Sequence, residues 1–360
     1  MSCVADYIIK SFIRMKREPK KSQANSQTIE QSQLVQDLTS SWQGMIRPLL
    51  FLSAQELEMA TNNYDKRQIL GWGSAATVYK GTYQDRPIAV KKYNRGSWME
   101  SKCFVREAVL LTIINHKNVA KLLACCFETD EPVLVYECIP HGTLLNYINE
   151  KEKLSEISLE DRLQIATEIA DAITYLHLGN PRPIVHGRIS RANILLDQNL
   201  SPRIINFEWS IMIPSGKTHV TELVRGTKGY IAPEYEMEGL LTEKSDVYSF
   251  GVLMLELLSG KKVHELGVDI STSRLNVNFL NDFISAMTKD FLGVLTDPGV
   301  QENKQKQLSA FGNLIMKCTQ VNDEDRPTMK EVAQNLREIR SACISSEGTL
   351  DKRASYPMKK

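Results

Sequence analysis

The sequence predicts an α+β fold of two lobes, a β-rich one followed by a helical one. Three observations carry this. First, the pattern turns β-like at Ile69, with strands expected over Ile69 to Tyr79 (around Gly71 and Gly73), Ile88 to Lys91, near Leu122-Leu123, and Val133 to Tyr136. Second, residues 142–179 read as mostly helical, with Ile165, Ile169, Ala172, Ile173 and Leu176 on one apolar stripe, and another apolar helix runs from Lys244 to Leu258. Third, 360 residues suffice for a two-lobed domain of roughly 280 residues plus extensions. The expected boundaries are an extension at 1–45, a domain at 46–340 with lobes of about 46–138 and 139–340, and a polar tail at 341–360.

Composition narrows the class. Apolar residues make up 42% and charged residues 24%, ordinary for a globular chain. Lys plus Arg (44) nearly balance Asp plus Glu (43), so charge gives no reason to expect nucleic acid as a partner. The seven cysteines are odd in number and form no C-x-x-C pair, which argues against a zinc site or disulfide framework and suits a reducing compartment. No apolar run approaches the ~18 residues of a membrane span.

Residues 1–21 hold six basic side chains (Lys10, Arg14, Lys16, Arg17, Lys20 and Lys21) against Asp6 and Glu18, a net +4. Ile8, Ile9, Phe12 and Ile13 share one helical face. Such a segment suits peripheral contact with a membrane surface, with Cys3 as a palmitoylation candidate, or equally a helix docked on the domain or on a partner. Ser2 excludes myristoylation, and Lys10 interrupts an apolar part already too short for a secretory signal. Residues 18–33 are Gln/Ser-rich, as a linker would be.

Within the domain, Ser53 is placed to cap a helix with Glu56 three residues on, and Asn62-Asn63 break it. Gly71-Trp72-Gly73-Ser74-Ala75-Ala76-Thr77-Val78 then resembles the protein-kinase phosphate loop G-x-G-x-x-G-x-V, with Ala76 at the third glycine position. Glycines there let backbone amides approach phosphates. Ile88-Ala89-Val90-Lys91 resembles the strand that carries the phosphate-pairing lysine, and Glu107, on the helical stretch from Phe104 to Leu111, its acidic partner. Tyr136 would flank the adenine, and Glu137-Cys138 would form the hinge. His177 reads as structural.

His186-Gly187-Arg188-Ile189-Ser190-Arg191-Ala192-Asn193 keeps the spacing of the catalytic loop H-R-D-x-x-x-x-N, but Arg188 stands where the proton-accepting Asp belongs. A guanidinium is always protonated and has no acceptor, so it cannot act as the base. Thirteen residues past Asn193, Asn206-Phe207-Glu208 replaces D-F-G. A neutral amide is a poor magnesium ligand, and Glu208 lacks the backbone freedom of glycine. Ile231-Ala232-Pro233-Glu234 matches A-P-E and closes an activation-segment equivalent in which Thr218, Thr221 and Thr227 are unremarkable candidates for phosphate. Asp246 would hold the catalytic-loop backbone, His186 would serve the same frame, and Arg326 would pair with Glu234.

From about Ile69 to Arg340 the chain therefore resembles a eukaryotic protein kinase of bilobal fold. Ala60-Thr61-Asn62-Asn63-Tyr64, Leu122-Leu123-Ala124-Cys125-Cys126 and Gly229-Tyr230-Ile231-Ala232-Pro233-Glu234-Tyr235 resemble plant receptor-like kinases near the wall-associated group. With no span in the sequence, the resemblance is to the receptor-like cytoplasmic kinases, and the altered loops resemble immune pseudokinases related to the HopZ-ETI-deficient pseudokinase. That resemblance implies an adaptor that binds a coiled-coil NLR immune receptor and recruits receptor-like cytoplasmic kinases, in the cytoplasm or peripherally at the plasma membrane. It implies ATP bound without efficient transfer at Gly71, Gly73, Val78, Ala89, Lys91, Glu107, Glu137, Cys138 and Asn193, and a poor magnesium site at Asn206. The alternative reading is a weak or unconventional ATP-dependent serine/threonine kinase; a third is a nucleotide sensor without transfer.

Overall fold

Two periodicities, one of strands and one of helices, sort the chain into two units in this computed structural model. It describes residues 49–73, 75–94, 98–129, 131–149, 157–265 and 298–350. The N-terminal extension, with its basic face and Cys3, lies outside the described residues. One unit comprises the chain up to His141 together with Arg203–Met212; the other comprises Gly142–Pro202 and the chain from Ile213 onward.

The first unit is built on a six-stranded sheet. Its elements are β1 (Leu50–Phe51), α1 (Ala54–Ala60), β2 (Ile69–Trp72), β3 (Ala76–Tyr83), β4 (Arg86–Tyr93), α2 (Trp98–Ile113), β5 (Leu122–Cys126) and β6 (Val133–Glu137). The strand order is β1-β5-β6-β4-β3-β2. Period two along the strands does the sorting. Ile88 and Val90 of β4, Ala124 and Cys126 of β5, and Val133 and Val135 of β6 point to one face, where Leu52 and Leu57 complete a cluster. Leu57 is wholly buried, and burying such a side chain contributes about 1.5–3 kcal/mol. It is delivered by α1, whose start is fixed by a capping box: Glu56 N–H donates to Ser53 Oγ (3.2 Å), and Ser53 N–H donates to Glu56 Oε2 (2.8 Å). The odd-numbered β4 positions Lys91 and Tyr93 lie on the opposite face, toward α2.

The later segment returns to this unit through two backbone bonds. Ile204 N–H donates to Asn118 O (2.8 Å), and Ala120 N–H donates to Ile204 O (3.0 Å). This stitch is what brings Asn206 and a short 3₁₀ turn, Phe207–Trp209, to α2.

The second unit is helical: α3 (Leu144–Asn149), α4 (Leu159–Leu178), α5 (Pro233–Glu238), α6 (Glu243–Ser259), α7 (Pro298–Cys318) and α8 (Met329–Leu350). The α4 stripe Ile165, Ile169, Ala172, Ile173 and Leu176 is wholly buried. Every residue of α6 from Ser245 to Leu258 is buried, so this helix has no solvent face and serves as the axis of the unit. It carries Glu256, which accepts from Tyr230 Oη, Arg191 Nη1 and Val263 N–H. Burial pushes the Glu256 carboxyl up, and those donors pull it back without cancelling the rise. Buried Arg326 uses all five of its donors: Nη1 and Nη2 reach Glu234 (2.9 and 2.8 Å), and carbonyls of Gln320, Val321 and Lys244 take the rest.

One boundary differs from the sequence expectation. A polar tail was expected at 341–360, whereas α8 runs to Leu350. No proline interrupts the chain between Pro327 and Pro357, and each further helical residue adds a backbone bond at little entropic cost. Among the described residues, no helix is long and apolar enough to cross a membrane.

A tight joint between helices of this unit is Gly251 on α6. A Cβ there would lie 2.7 Å from Thr319 Cγ2 and 2.8 Å from Cys318 Cβ. Gly251→Ala is expected to destabilise the protein by about 1–3 kcal/mol through overpacking. Urea denaturation should show a lower midpoint at an unchanged slope; an unchanged midpoint would mean that α7 gives way freely.

Candidate functional site

Lys91 and Tyr93 converge on one acidic residue of α2. Lys91 Nζ donates to Glu107 Oε2 (2.7 Å), to Glu208 Oε2 (3.0 Å) and to Asn206 Oδ1 (3.2 Å). The group is sealed: Lys91 is 5% exposed, Glu107 1% and Glu208 8%. The Tyr93 hydroxyl donates to the Oε2 of Glu107, and Phe207 N–H donates to its Oε1 (3.2 Å). The Tyr93 ring stands edge-on to Phe104 of α2, 5.4 Å between centroids, which fixes the phenol over the carboxylate.

The electrostatics follow from burial and charge. Burial alone pulls the Lys91 ammonium down, and Glu107 and Glu208 together outweigh it, so its pKa stands above the ordinary lysine value. A raised lysine contributes its stability in full below its unfolded value near ~10.4, and loses it only as pH climbs through the folded value. The charge of Lys91 is therefore indifferent to pH in the neutral range. Burial first, then the charge of Glu107, pushes the Tyr93 phenol well up, so it stays a donor.

Residue 208 is where the structure departs from the motif reading. Loss of glycine freedom was expected to matter there. Glu208 instead sits in an ordinary 3₁₀ turn, and the left-handed residue is Asn206 (φ 67°), a type that tolerates it. What the change at 208 adds is a carboxylate on Lys91. Tyr93 was also missed, although its place two residues beyond Lys91 puts it on the same strand face.

The other sequence candidates of this unit fall along the sheet. Gly71 ends in open space, with nothing within 4 Å of a Cβ built on it, and Gly73 meets only Ala76 O at 4.0 Å. Neither has positive φ, so the fold itself does not require glycine at either place, as befits a loop that leaves room for phosphates. Ala76 is buried opposite Tyr93, Val78 lies opposite Lys91, and Ala89 lies between Lys80 and Tyr136 in register. Glu137 closes β6, with its N–H on Lys121 O (3.1 Å) and its Oε1 accepting from Lys121 N–H (2.9 Å); half-buried Cys138 follows. A magnesium ion does not fit the residues present: position 206 offers only an amide oxygen already facing Lys91, and the nearby carboxylate of Glu208 is held by the same ammonium.

The catalytic-loop equivalent lies in the helical unit and is held by α6. Asp246 Oδ2 accepts from His186 N–H and its Oδ1 from Gly187 N–H, both at 2.8 Å, and Oδ2 also faces His177 Nε2 (3.1 Å). His177 is thus part of the frame. Gly187 takes φ +74°, a conformation that would strain any side chain placed there. Asn193 Nδ2 donates to Arg188 O (2.7 Å), and Arg188 N–H donates to His186 Nδ1 (3.2 Å), so the loop is tied to itself around Arg188. Asp246→Asn removes the acceptor for one of the two loop amides. We expect it to cost about 1–3 kcal/mol and to speed hydrogen exchange at the His186 and Gly187 amides. Unchanged exchange there would show that the loop does not depend on this carboxylate.

Comparison with known proteins agrees with this geometry. Residues 64–336 match the family model of protein tyrosine and serine/threonine kinases. Over 336 residues the chain is 39% identical to wall-associated receptor kinase 5 of Arabidopsis thaliana, covering 92% of this chain and 45% of that protein. It is 40% identical over 289 residues to putative wall-associated receptor kinase-like 16 of the same plant, covering 80% of this chain and 66% of that protein. The chain thus spans less than two thirds of the length of these relatives. The order of sheet, paired lysine, catalytic-loop frame and buried central helix has the same explanation as these similarities: the chain belongs to the protein tyrosine and serine/threonine kinase family and is related to the plant wall-associated receptor kinases.

Proposed function

We propose that this protein is a pseudokinase, an adaptor or switch in plant immune signalling that links a coiled-coil NLR receptor to receptor-like cytoplasmic kinases. The observation that carries the reading is Arg188. It occupies the base position in a loop whose supports, Asp246, His186 and Asn193, are in place. Removing a general base typically lowers a rate by ~10²–10⁴. Asn206 weakens the metal position as well, which removes charge stabilisation of the transferring phosphoryl group. Supporting groups kept beside chemical groups replaced suit a protein used for its surface. The NLR and kinase partners follow from the likeness of the altered loops to immune pseudokinases. Residues 1–21 would add peripheral contact with the plasma membrane from the cytoplasmic side through their net +4 charge.

One observation favours a second reading. The Lys91–Glu107 ion pair (2.7 Å) is the pair that an active kinase needs, so a weak ATP-dependent serine/threonine kinase is the rival.

A phosphate-transfer assay with radiolabelled ATP on purified protein separates them. Neither the wild type nor Arg188→Asp is expected to incorporate label, since restoring the base alone leaves Asn206 at the metal position and Ser190 where the kinase catalytic loop carries a lysine. Incorporation by the wild type that Lys91→Met abolishes would establish the rival. For the adaptor role, a tagged copy should co-purify with a coiled-coil NLR and with receptor-like cytoplasmic kinases from immune-stimulated plant tissue. Arg188→Asp should leave that capture unchanged, and failure to recover either class would end the reading.

A further inference from the structure

An ammonium has three N–H donors, and three acceptors surround Lys91: Glu107 at 2.7 Å, Glu208 at 3.0 Å and Asn206 at 3.2 Å. In a working kinase the same lysine is shared between the α2 acid and the nucleotide phosphates. We infer that Glu208 is a built-in anion occupying the phosphate's place on Lys91, so that a nucleotide polyphosphate must displace it to bind. The inference rests on reading Lys91 as the phosphate-pairing lysine of the proposed function, and it adds how that site is closed.

Three features carry it beyond a single contact. The first is charge. Lys91 brings +1, Glu107 and Glu208 bring −1 each, and Asn206 is neutral, so the sealed cluster is already net negative before any phosphate arrives. Position 206 offers no carboxylate to recruit a divalent cation that would offset the phosphate charge. The second is rigidity. Glu208 sits in a turn whose neighbouring amide, Phe207 N–H, is tied to Glu107 Oε1 (3.2 Å), so its backbone is anchored to the acid that it helps to neutralise Lys91 with. The third is space. The phosphate loop itself is open at Gly71 and Gly73, which places the obstruction on Lys91 rather than on the loop.

The ion pair of a kinase N-lobe is thereby completed from within the chain. The joint between β4, α2 and the segment 203–212 holds together without ligand, which is what a nucleotide-independent scaffold requires.

The test compares the full-length wild type with Glu208→Gln and Glu208→Gly, each with and without Lys91→Met. Equilibrium dialysis with radiolabelled ATP and thermal-shift titration with inorganic tripolyphosphate are both run in EDTA, then in magnesium. Both Glu208 variants are expected to bind each probe at least about 10-fold more tightly than the wild type, the scale of one charge-assisted hydrogen bond released. Adding Lys91→Met should erase the gain. Without ligand the variants should melt below the wild type and recover on adding ATP. Glycine adds no side chain to this buried turn, so it carries the comparison should the glutamine variant fail to fold. Equal affinities across wild type and variants, including no binding by any, would overturn the inference. The transfer assay on the wild type decides the pseudokinase reading separately, because that reading does not depend on which variant binds nucleotide.

Discussion

A lysine buried to 5% exposure is the constraint around which the first unit is arranged. An unpaired ammonium in an apolar interior is costly enough that it would shed its proton or unfold its surroundings. Lys91 keeps its charge because α2 delivers one acceptor, Glu107, and the returning segment 203–212 delivers two, Asn206 and Glu208. Each delivery depends on ordinary local structure. Strand alternation aims Lys91 and Tyr93 away from Ile88 and Val90; the helix presents Glu107; the Asn118–Ile204–Ala120 bonds fix where the turn at 207–209 begins. Truncating either carboxylate would leave a buried charge short of partners, a loss that for such pairs runs to about 3–5 kcal/mol.

The helical unit has its own polar joints of the same kind. Asp246 on α6 satisfies two loop amides, Glu256 collects three donors, and the Arg326 fork is saturated. None of these groups moves a proton or holds a phosphate in the family's chemistry, and each would leave unsatisfied buried atoms if changed. Arg188 and Asn206 are different in kind. The loop around Arg188 is held by its own backbone and by Asn193. That asymmetry explains how a kinase frame persists around altered motif positions.

Much of this was legible in the sequence, and the limits were physical. The capped helix at Ser53 and the buried α4 stripe follow from spacing alone, because periodicity and caps are local, while the two-lobe α+β architecture is what the resemblance of the ordered motifs to protein kinases implied. Motif order located Lys91, Arg188, Asn206 and Glu208. What motifs could not give was the use of Glu208. A motif reads position 208 as a missing glycine, and only the fold joins it to a lysine 117 residues away. Tyr93 escaped for a milder reason: strand alternation places it beside Lys91, but nothing in the strand says that the neighbouring helix will put Glu107 within its reach. The extent of α8 escaped because a polar composition says little about whether a helix with no proline stops.

The two changes at 206 and 208 make most sense together. With Asp at 206, as in D-F-G, the buried group would hold one ammonium and two carboxylates, and the second carboxylate would be free to take a divalent cation. With Asn206 and Glu208 the count is the same, one ammonium and two carboxylates, so the balance that keeps Lys91 buried is preserved. What shifts is which atom holds the second charge. Carried two residues along, on a turn anchored to Glu107, that carboxylate lies against the ammonium at 3.0 Å instead of awaiting a metal. The total charge therefore stays what the fold needs, while the placement of one carboxylate differs. A change that meets the stability requirement by moving a single carboxylate is economical.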